Sequence, residues 1–138
     1  MKIPKAVEKA YQVALKSRLH SYSPYSKFKV GAAIQFKGVL QPFGGCNIEN
    51  ASYGATVCAE RVALWSGHAQ QGKKAVEFVV VVTAEKEPTV PCALCLQVLA
   101  EFSADSTPIY LANLKGVQER VLLKDLLGRP FRSFVKDV

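Results

Sequence analysis

The run VEFVVVV, residues 76–82, limits the possible folds of this 138-residue chain more than any other stretch. Four consecutive valines follow a phenylalanine, so apolar and β-branched residues occupy both faces of an extended segment. A continuous run of this kind is typical of a strand that is covered on both faces. We therefore expect a central strand with packing elements above and below it.

Helical and strand patterns alternate before this run. Apolar residues at helical spacing predict a helix over Pro4–Leu19. A period of two then predicts a strand over Phe28–Phe36 with alternating faces, and Lys37-Gly38 predicts a hairpin turn. The turn leads into a second strand over roughly Val39–Cys46.

The same alternation continues in the second half of the chain. TVCAERVALWSGHA predicts a helix with Thr56 as its N-terminal cap and Gly67 near its end. CALCLQVLAEF predicts a helix that begins at Cys92, TPIYLAN a strand, and LLKDLLG a last helical turn. This order predicts a three-layer α/β/α sandwich with a mixed sheet, in one domain over residues 1–138.

Composition and charge narrow the class of protein. The N-terminus lacks the apolar run of a signal peptide, and residues 78–82 are too short to span a bilayer. We therefore expect a cytoplasmic protein without a membrane partner. The net charge of +7 allows attraction to polyanions, but no block of five or six basic residues occurs. Scattered surface lysines explain this charge better than a nucleic-acid partner does.

The four cysteines favour metal binding or catalysis, because a cytoplasmic chain of this size needs no disulfides. PCALC places Cys92 and Cys95 at i and i+3, on one face of a predicted helix. Cys58 lies at the start of the other helix, and the positive ends of helix dipoles favour thiolates. The three cysteines together predict one metal site.

Three protein ligands leave one position of a tetrahedral zinc ion open for water, which is typical of a catalytic site. Zinc lowers the pKa of such a water toward neutrality. Glu60 follows Cys58 by two residues and is expected to face the same pocket, where it could move protons. Arg61 is expected to donate hydrogen bonds to the cysteine sulfurs.

Two other uses of the cysteines remain open from the residues alone. Cys46 could make a closed, structural site of four cysteines, although its predicted place in a strand favours a small buried residue. A redox CxxC motif with a coincidental Cys58 is the other alternative. His20 and His68 lack ligand spacing and are expected at surface or structural positions.

The motif CAE at residues 58–60, followed by PCxxC, resembles the zinc signature of the cytidine deaminases. Within that family it is similar to the small homotetrameric type with three cysteine ligands. The resemblance extends over nearly the whole chain, through SPYSKFKVGAA, GCNIENASYG, QVLAEF and DLLGRPF.

This resemblance implies a five-stranded mixed sheet and one zinc ion per subunit, held by Cys58, Cys92 and Cys95. It implies that Glu60 shuttles protons between water, ring N3 and the departing amine, and that Arg61 tempers the thiolate charge. The implied reaction is the hydrolytic deamination of cytidine and deoxycytidine to uridine and deoxyuridine, in pyrimidine salvage.

The resemblance also implies a substrate site that is shared between the subunits of a homotetramer. Phe28 would pack against the pyrimidine, while Asn47 and Glu49 would bind the ribose 3′-hydroxyl. Other residues would reach the ribose 5′ region or the base pocket of a neighbouring subunit. The implied substrate-binding set is Phe28, Asn47, Glu49, Ala51, Tyr53, Ala59 and Phe131.

The chain also departs from the family pattern. Leu96 stands where the family usually has an arginine, Ala93 and Leu94 replace a glycine and an alanine, and Gly128 replaces a proline. Two alternatives to the implied activity therefore stay open. One is deamination of a modified nucleoside or of cytosine in nucleic acid, and the other is a non-catalytic zinc-binding module.

Overall fold

The computed structural model of the chain describes residues 1–134. This part contains five strands: β1 (Gly31–Phe36), β2 (Phe43–Cys46), β3 (Val76–Val82), β4 (Pro108–Asn113) and β5 (Gly116–Leu122). Its α-helices are α1 (Lys5–Arg18), α2 (Ala59–Gln71), α3 (Ala93–Glu101) and α4 (Leu123–Leu126). A single 3₁₀ turn, Tyr53–Ala55, precedes α2.

The strands form one mixed sheet in the order β2-β1-β3-β4-β5. Strand β1 runs antiparallel to both β2 and β3, and β4 runs antiparallel to β5. The central pair β3 and β4 is parallel, because α3 forms the crossover between the two strands. Every residue of β3 except Glu77 is buried, so the valine run is the covered central strand that the sequence predicts.

Two hydrophobic cores lie on the two faces of this sheet. Helix α1 packs on one face, where Val7, Ala10 and Ala14 contact the alternate side chains of β1, β3 and β4. Helices α2 and α3 cover the other face, where Leu64 and Leu99 belong to the second core. The prediction of a three-layer α/β/α fold with a mixed five-stranded sheet is confirmed.

Strand β1 corrects the prediction of alternating buried and exposed faces over Phe28–Phe36. The strand begins only at Gly31, and all six of its residues are buried. The physical reason is that helices cover both faces of the sheet at this position, so no face meets solvent. Gln35 tolerates this burial because its side-chain amide donates hydrogen bonds to the carbonyls of Phe36 and Val39.

The predicted ends of the second helix were also wrong. Cys58 rather than Thr56 is the N-cap residue of α2, and the Thr56 hydroxyl instead accepts a hydrogen bond from Asn50 N. Gly67 lies inside the helix, where it lets the backbone approach the ring of Phe36. The helix ends at Gln71 and is capped by Gly72, whose φ of 73° suits glycine.

The residue pattern predicted no strand between TPIYLAN and LLKDLLG, where β5 lies. Residues 118–120 are polar and exposed, as befits an edge strand, and so they carry no hydrophobic alternation. Strand β2 is likewise shorter than predicted and covers only its last four residues. Within residues 1–134, no helix has the length and hydrophobicity that crossing a membrane requires. The single domain over residues 1–138 stays a prediction, and residues 135–138 lie outside the described part.

Candidate functional site

Two helix starts bring three cysteines together. Cys58 is the N-cap residue of α2, Cys92 is the N-cap residue of α3, and Cys95 lies in the first turn of α3. Their Sγ atoms all lie within 4.8 Å of one another, and those of Cys58 and Cys92 are 3.8 Å apart. A tetrahedral ion with bonds of about 2.3 Å holds its sulfur ligands roughly 3.8 Å apart. The cluster therefore fits a zinc ion.

Gly45 sets the position of the helix that carries Cys58. A Cβ atom added at this glycine would lie 2.4 Å from Ala63 N and 2.7 Å from Ala59 O, both in α2. Such contacts are shorter than packed atoms allow, so only glycine lets β2 lie this close to the helix. The glycine before Cys46 therefore fixes how far the start of α2 stands from the sheet.

Cys46 does not join the metal cluster. It lies on β2, is 9% exposed, and is absent from the group of sulfurs that could hold one ion. Burial raises the pKa of its thiol, as expected for a cysteine with a packing role. The alternative of a closed four-cysteine site is therefore wrong, and the cluster offers three ligands.

Arg61 supplies positive charge beside the sulfurs. Its Nη2 donates a hydrogen bond of 3.5 Å to Cys58 Sγ, and its guanidinium lies 5.9 Å from the centre of the Trp65 ring. Hydrogen bonds from the Cys95 thiol and from Arg61 lower the pKa of Cys58 to about 5. Cys58 is therefore a thiolate at neutral pH, which is the form that binds a metal ion.

Glu60 is buried beside this cluster and is only 4% exposed. Burial is the main cause that raises its pKa, to about 7, and the negative charge on Cys58 acts in the same direction. The residue follows the N-cap cysteine in the first turn of α2, and it lines the same cavity as Cys58 and Cys92. A carboxyl group in this place can exchange protons with a ligand in the cavity.

The cavity has a volume of about 270 Å³, close to the lower end of small-molecule pockets. Its walls are mostly apolar, with Phe28, Val57 and Val81 among them. Two groups of polar residues belong to this lining. Cys58, Cys92 and Glu60 come from the starts of α2 and α3, whereas Asn47 and Glu49 are held by hydrogen bonds to residues 21–30.

Asn47 is buried, and three hydrogen bonds fix its side chain. Its Oδ1 accepts from Val30 N at 2.9 Å and from Ser21 Oγ at 2.5 Å, while its Nδ2 donates to Phe28 O at 2.7 Å. Both acceptor sites of the amide oxygen are therefore filled, and one N–H of the amide remains free to donate.

Glu49 can accept a further hydrogen bond, whereas Asn47 can donate one. Its Oε1 accepts from the backbone N–H groups of Tyr25 and Ser26, and its Oε2 accepts from Ser26 Oγ at 2.5 Å. The hydrogen bond from the Ser26 side chain is the largest of the causes that lower the pKa of Glu49. The carboxylate is therefore ionised at neutral pH, and its Oε2 can accept one more hydrogen bond.

The segment that both side chains hold, residues 23–30, has a strained backbone. Lys27 has a φ of 60°, the only positive φ at a non-glycine residue among residues 1–134. A left-handed conformation of this kind costs roughly 1–2 kcal/mol for an ordinary residue. Backbone strain of this size is typical of functional sites where the surroundings fix the chain.

The structure brings most of the predicted site residues together, but not all of them. Tyr53 is 75% exposed and lines a neighbouring hollow with Tyr25, Ser26, Glu49 and Thr56. The other three residues lie outside the lining of both cavities. Ala51 is exposed, Ala59 is fully buried in the core under α2, and Phe131 is 58% exposed beside α3.

Phe131 is held in place by the helix that carries Cys95. Its N–H donates to Gln97 Oε1 at 3.2 Å, and its carbonyl accepts from Gln97 Nε2. Next to it, Arg132 forms an ion pair with Asp105 and donates to the carbonyl of Ala100. The last described residues therefore follow α3 and present an exposed aromatic ring.

Sequence reasoning missed several residues of the cavity. Ser26 belongs to the motif SPYSKFKVGAA but received no role, although it contacts Glu49 directly. Thr83 and Thr89 line the cavity after β3 and contact each other at 3.1 Å. The only signal for them was their place after the carboxyl end of a central strand, where α/β sheets bind ligands.

A family model for the cytidine and deoxycytidylate deaminase zinc-binding region matches residues 4–111. A cytidine deaminase of Halalkalibacterium halodurans is 42% identical over 122 residues, which cover 87% of this chain and 89% of that protein. A cytidine deaminase of Sporosarcina psychrophila is also 42% identical, over 126 residues that cover 91% of this chain and 90% of that protein.

The chain also resembles solved structures of cytidine deaminases. The chain resembles the cytidine deaminase of Burkholderia pseudomallei with a TM-score of 0.81 and 36% identity, over 94% of this chain and all of that one. It resembles the cytidine deaminase of Mycobacterium tuberculosis with a TM-score of 0.76 and 30% identity, over 91% and 96% of the two chains. The likeness therefore includes both the fold and the part of the sequence that carries the metal cluster.

Proposed function

Because the chain belongs to the zinc-binding family of cytidine and deoxycytidylate deaminases, we propose that it is a zinc-dependent hydrolase of the C–N bond in cytidine and deoxycytidine. The products are uridine or deoxyuridine and ammonia. One observation carries the proposal: two of the three clustered cysteines line a cavity together with the buried carboxyl group of Glu60 and with Asn47 and Glu49.

Cys58, Cys92 and Cys95 hold the zinc ion in this proposal. When bound, zinc acidifies a water molecule and so supplies a nucleophile at neutral pH. The chain supplies the rest of the site. Arg61 offsets part of the negative charge of three thiolates through its hydrogen bond to Cys58.

Glu60 is the proton carrier in this proposal. It is buried, lines the cavity next to Cys58, and is not one of the three clustered ligands. A carboxyl group here can accept a proton from the attacking water and donate it to ring N3, then accept a second proton from the hydroxyl formed at C4 and donate it to the departing amine, which leaves as ammonia. The other carboxylate of the cavity lining, Glu49, is held by hydrogen bonds from Tyr25 and Ser26 and makes no described contact with the cysteines.

Asn47 and Glu49 recognise a sugar hydroxyl, and their remaining hydrogen-bond capacity supports this role. Asn47 retains one N–H to donate, and Glu49 retains one acceptor site. A hydroxyl group accepts one hydrogen bond and donates another, so the 3′-hydroxyl of a nucleoside satisfies both residues at once. A ligand without that hydroxyl leaves both polar groups unpaired.

The charge of Glu49 favours a free nucleoside over nucleic acid. Its hydrogen bonds lower its pKa, so it carries a negative charge at neutral pH. In a nucleic acid, the sugar 3′-oxygen bears a phosphate, which has no hydrogen to donate and repels a carboxylate. We therefore assign small nucleosides as the substrate class, with Phe28 against the flat pyrimidine in the apolar part of the cavity.

We also propose a homotetramer with shared active sites. Tyr53 and Phe131 are large aromatic residues with exposures of 75% and 58%, so both rings offer apolar surface to another subunit. Tyr53 lines the hollow next to the cavity, and Phe131 lies beside α3. In this arrangement Ala51 and Tyr53 reach the ribose of a neighbouring subunit, and Phe131 covers the base there. Ala59, between Cys58 and Glu60, belongs to the same proposed substrate site. A cytoplasmic role in pyrimidine salvage completes the proposal.

A panel of substrates tests this function. The purified, zinc-loaded protein is incubated with cytidine, deoxycytidine, cytosine, a modified cytidine and single-stranded RNA and DNA oligomers, and ammonia release is measured. We expect turnover of both nucleosides and none after removal of zinc by a chelator, with recovery when zinc is added. Activity on oligomers alone contradicts the substrate assignment. Bound zinc without turnover of any compound indicates a non-catalytic zinc-binding module.

A further inference from the structure

We propose that Ser26 is a positioning residue that determines specificity for the sugar, because its hydroxyl group connects the Glu49 carboxylate to the backbone N–H of Phe28. The inference rests on the proposed function, since it concerns Glu49, one of the residues that bind the sugar in that proposal. It gives a role to a residue of the SPYSKFKVGAA motif to which the resemblance assigned none.

Ser26 Oγ takes part in two hydrogen bonds with opposite roles. It donates to Glu49 Oε2 at 2.5 Å and accepts from Phe28 N at 3.0 Å. The backbone N–H of Ser26 also donates to Glu49 Oε1 at 3.1 Å. One serine therefore contacts both carboxylate oxygens of Glu49 and also holds the backbone N–H of Phe28.

These contacts determine which hydrogen bond Glu49 can still make. The backbone N–H groups of Tyr25 and Ser26 occupy Oε1, and the Ser26 hydroxyl occupies one site on Oε2. The remaining site on Oε2 is then directed by the plane of the carboxylate. Without the hydroxyl, the side chain of Glu49 can turn about its last bond and lose this direction.

The local backbone explains why a side chain is needed here. Lys27, between Ser26 and Phe28, has the left-handed φ of 60°, and its N–H donates to Ser23 O at 3.0 Å. This turn carries the N–H of Phe28 toward the Ser26 hydroxyl, which accepts it. The serine therefore couples the orientation of the sugar-binding carboxylate to the position of the residue that contacts the base.

Ser26 is exposed, so the variant Ser26→Ala should fold like the parent protein. We expect kcat/KM for cytidine to fall roughly ten- to hundredfold, mostly through KM, because one hydrogen bond to a charged group is removed. Competition assays with uridine and 3′-deoxyuridine give the specificity. The parent should bind uridine more tightly, and Ser26→Ala should lose most of that preference.

Two further variants separate positioning from a structural effect. Ser26→Thr keeps the hydroxyl and should restore the preference for the 3′-hydroxyl. Ser106→Ala is the control, because it removes an exposed serine hydroxyl in the turn before β4, outside both cavities. It should leave both kcat/KM for cytidine and the preference for the 3′-hydroxyl unchanged. In a Glu49→Ala background, Ser26→Ala should have little further effect on the preference, because the serine acts through that carboxylate.

The outcomes distinguish this inference from the proposed function. If the parent protein deaminates neither nucleoside, the proposed function is wrong, and the serine has no sugar to select. If the parent is active and Ser26→Ala keeps the full preference for uridine over 3′-deoxyuridine, only the role of Ser26 is overturned. An equal loss of binding for both nucleosides also overturns it, because it indicates a general effect on the cavity.

Discussion

Replacement of Asn47 by alanine should lower both stability and nucleoside binding, because this side chain connects three parts of the chain. Its amide contacts Ser21 in the loop after α1 and both Phe28 and Val30 before β1. Alanine removes all three hydrogen bonds and leaves the Val30 N–H and the Phe28 carbonyl without these partners.

The size of the effect follows from these contacts. Each intramolecular hydrogen bond contributes about 1 kcal/mol net, so their loss should lower the free energy of unfolding by about 3 kcal/mol. For a chain of this length, that corresponds to a fall of roughly 10 °C in the midpoint of thermal unfolding. Loss of the remaining amide N–H should also raise KM for cytidine.

Thermal unfolding of the zinc-loaded parent and variant, followed by circular dichroism at equal protein concentration, measures the stability change. Asn50→Ala is the matched control, because it removes an exposed asparagine with one side-chain hydrogen bond, from Ser52 N at 2.9 Å. It should change the free energy of unfolding by less than about 0.5 kcal/mol.

The reasoning is refuted if Asn47→Ala unfolds within about 2 °C of the control. Such a result would mean that the three bonds are replaced by water without loss. If stability falls as expected while KM for cytidine is unchanged, the structural role stands, and the proposed contact with the sugar is wrong.

Three further predictions concern the metal cluster and its support. Glu60→Gln should keep stoichiometric zinc, measured by metal analysis, but lose about 10²- to 10⁴-fold in kcat, and near-normal turnover would exclude it as the proton carrier. Gly45→Ala should lower the free energy of unfolding, measured by urea titration, by about 1–3 kcal/mol, because the added Cβ meets the backbone of α2. An unchanged urea midpoint would contradict this close approach of β2 to α2. Removal of zinc should lower the thermal midpoint and make the Cys58 thiol reactive toward an alkylating reagent, and a thiol equally reactive with zinc bound would argue against ligation.

The sequence was sufficient for the metal cluster because its signal is local. Cys92 and Cys95 are one helical turn apart, and both Cys58 and Cys92 precede helical patterns, so their place at helix starts follows from the residues. Helix starts in an α/β fold lie at one edge of the sheet, which is why three cysteines from distant parts of the chain meet.

Other features depend on packing and could not be read from local patterns. The alternation in β1 predicted one exposed face, but the helices on both sides bury all six residues. Strand β5 was not predicted, for the opposite reason. It lies at the edge of the sheet, where polar side chains can face solvent, so its residues show no hydrophobic alternation. The contacts of Asn47 and Glu49 with residues 21–30 arise from the path of a loop, which no periodicity specifies.

The arrangement of the cysteines also has a consequence for the folding of the chain. Cys58 and Cys92 are 34 residues apart, and the central strand β3 lies between them. An ion that joins them closes a loop around that strand, much as a disulfide would. A cross-link over about 35 residues removes up to roughly 4 kcal/mol of chain entropy from the unfolded state. The metal ion therefore acts as a reversible cross-link across the middle of the sheet, and its removal lowers the free energy of unfolding.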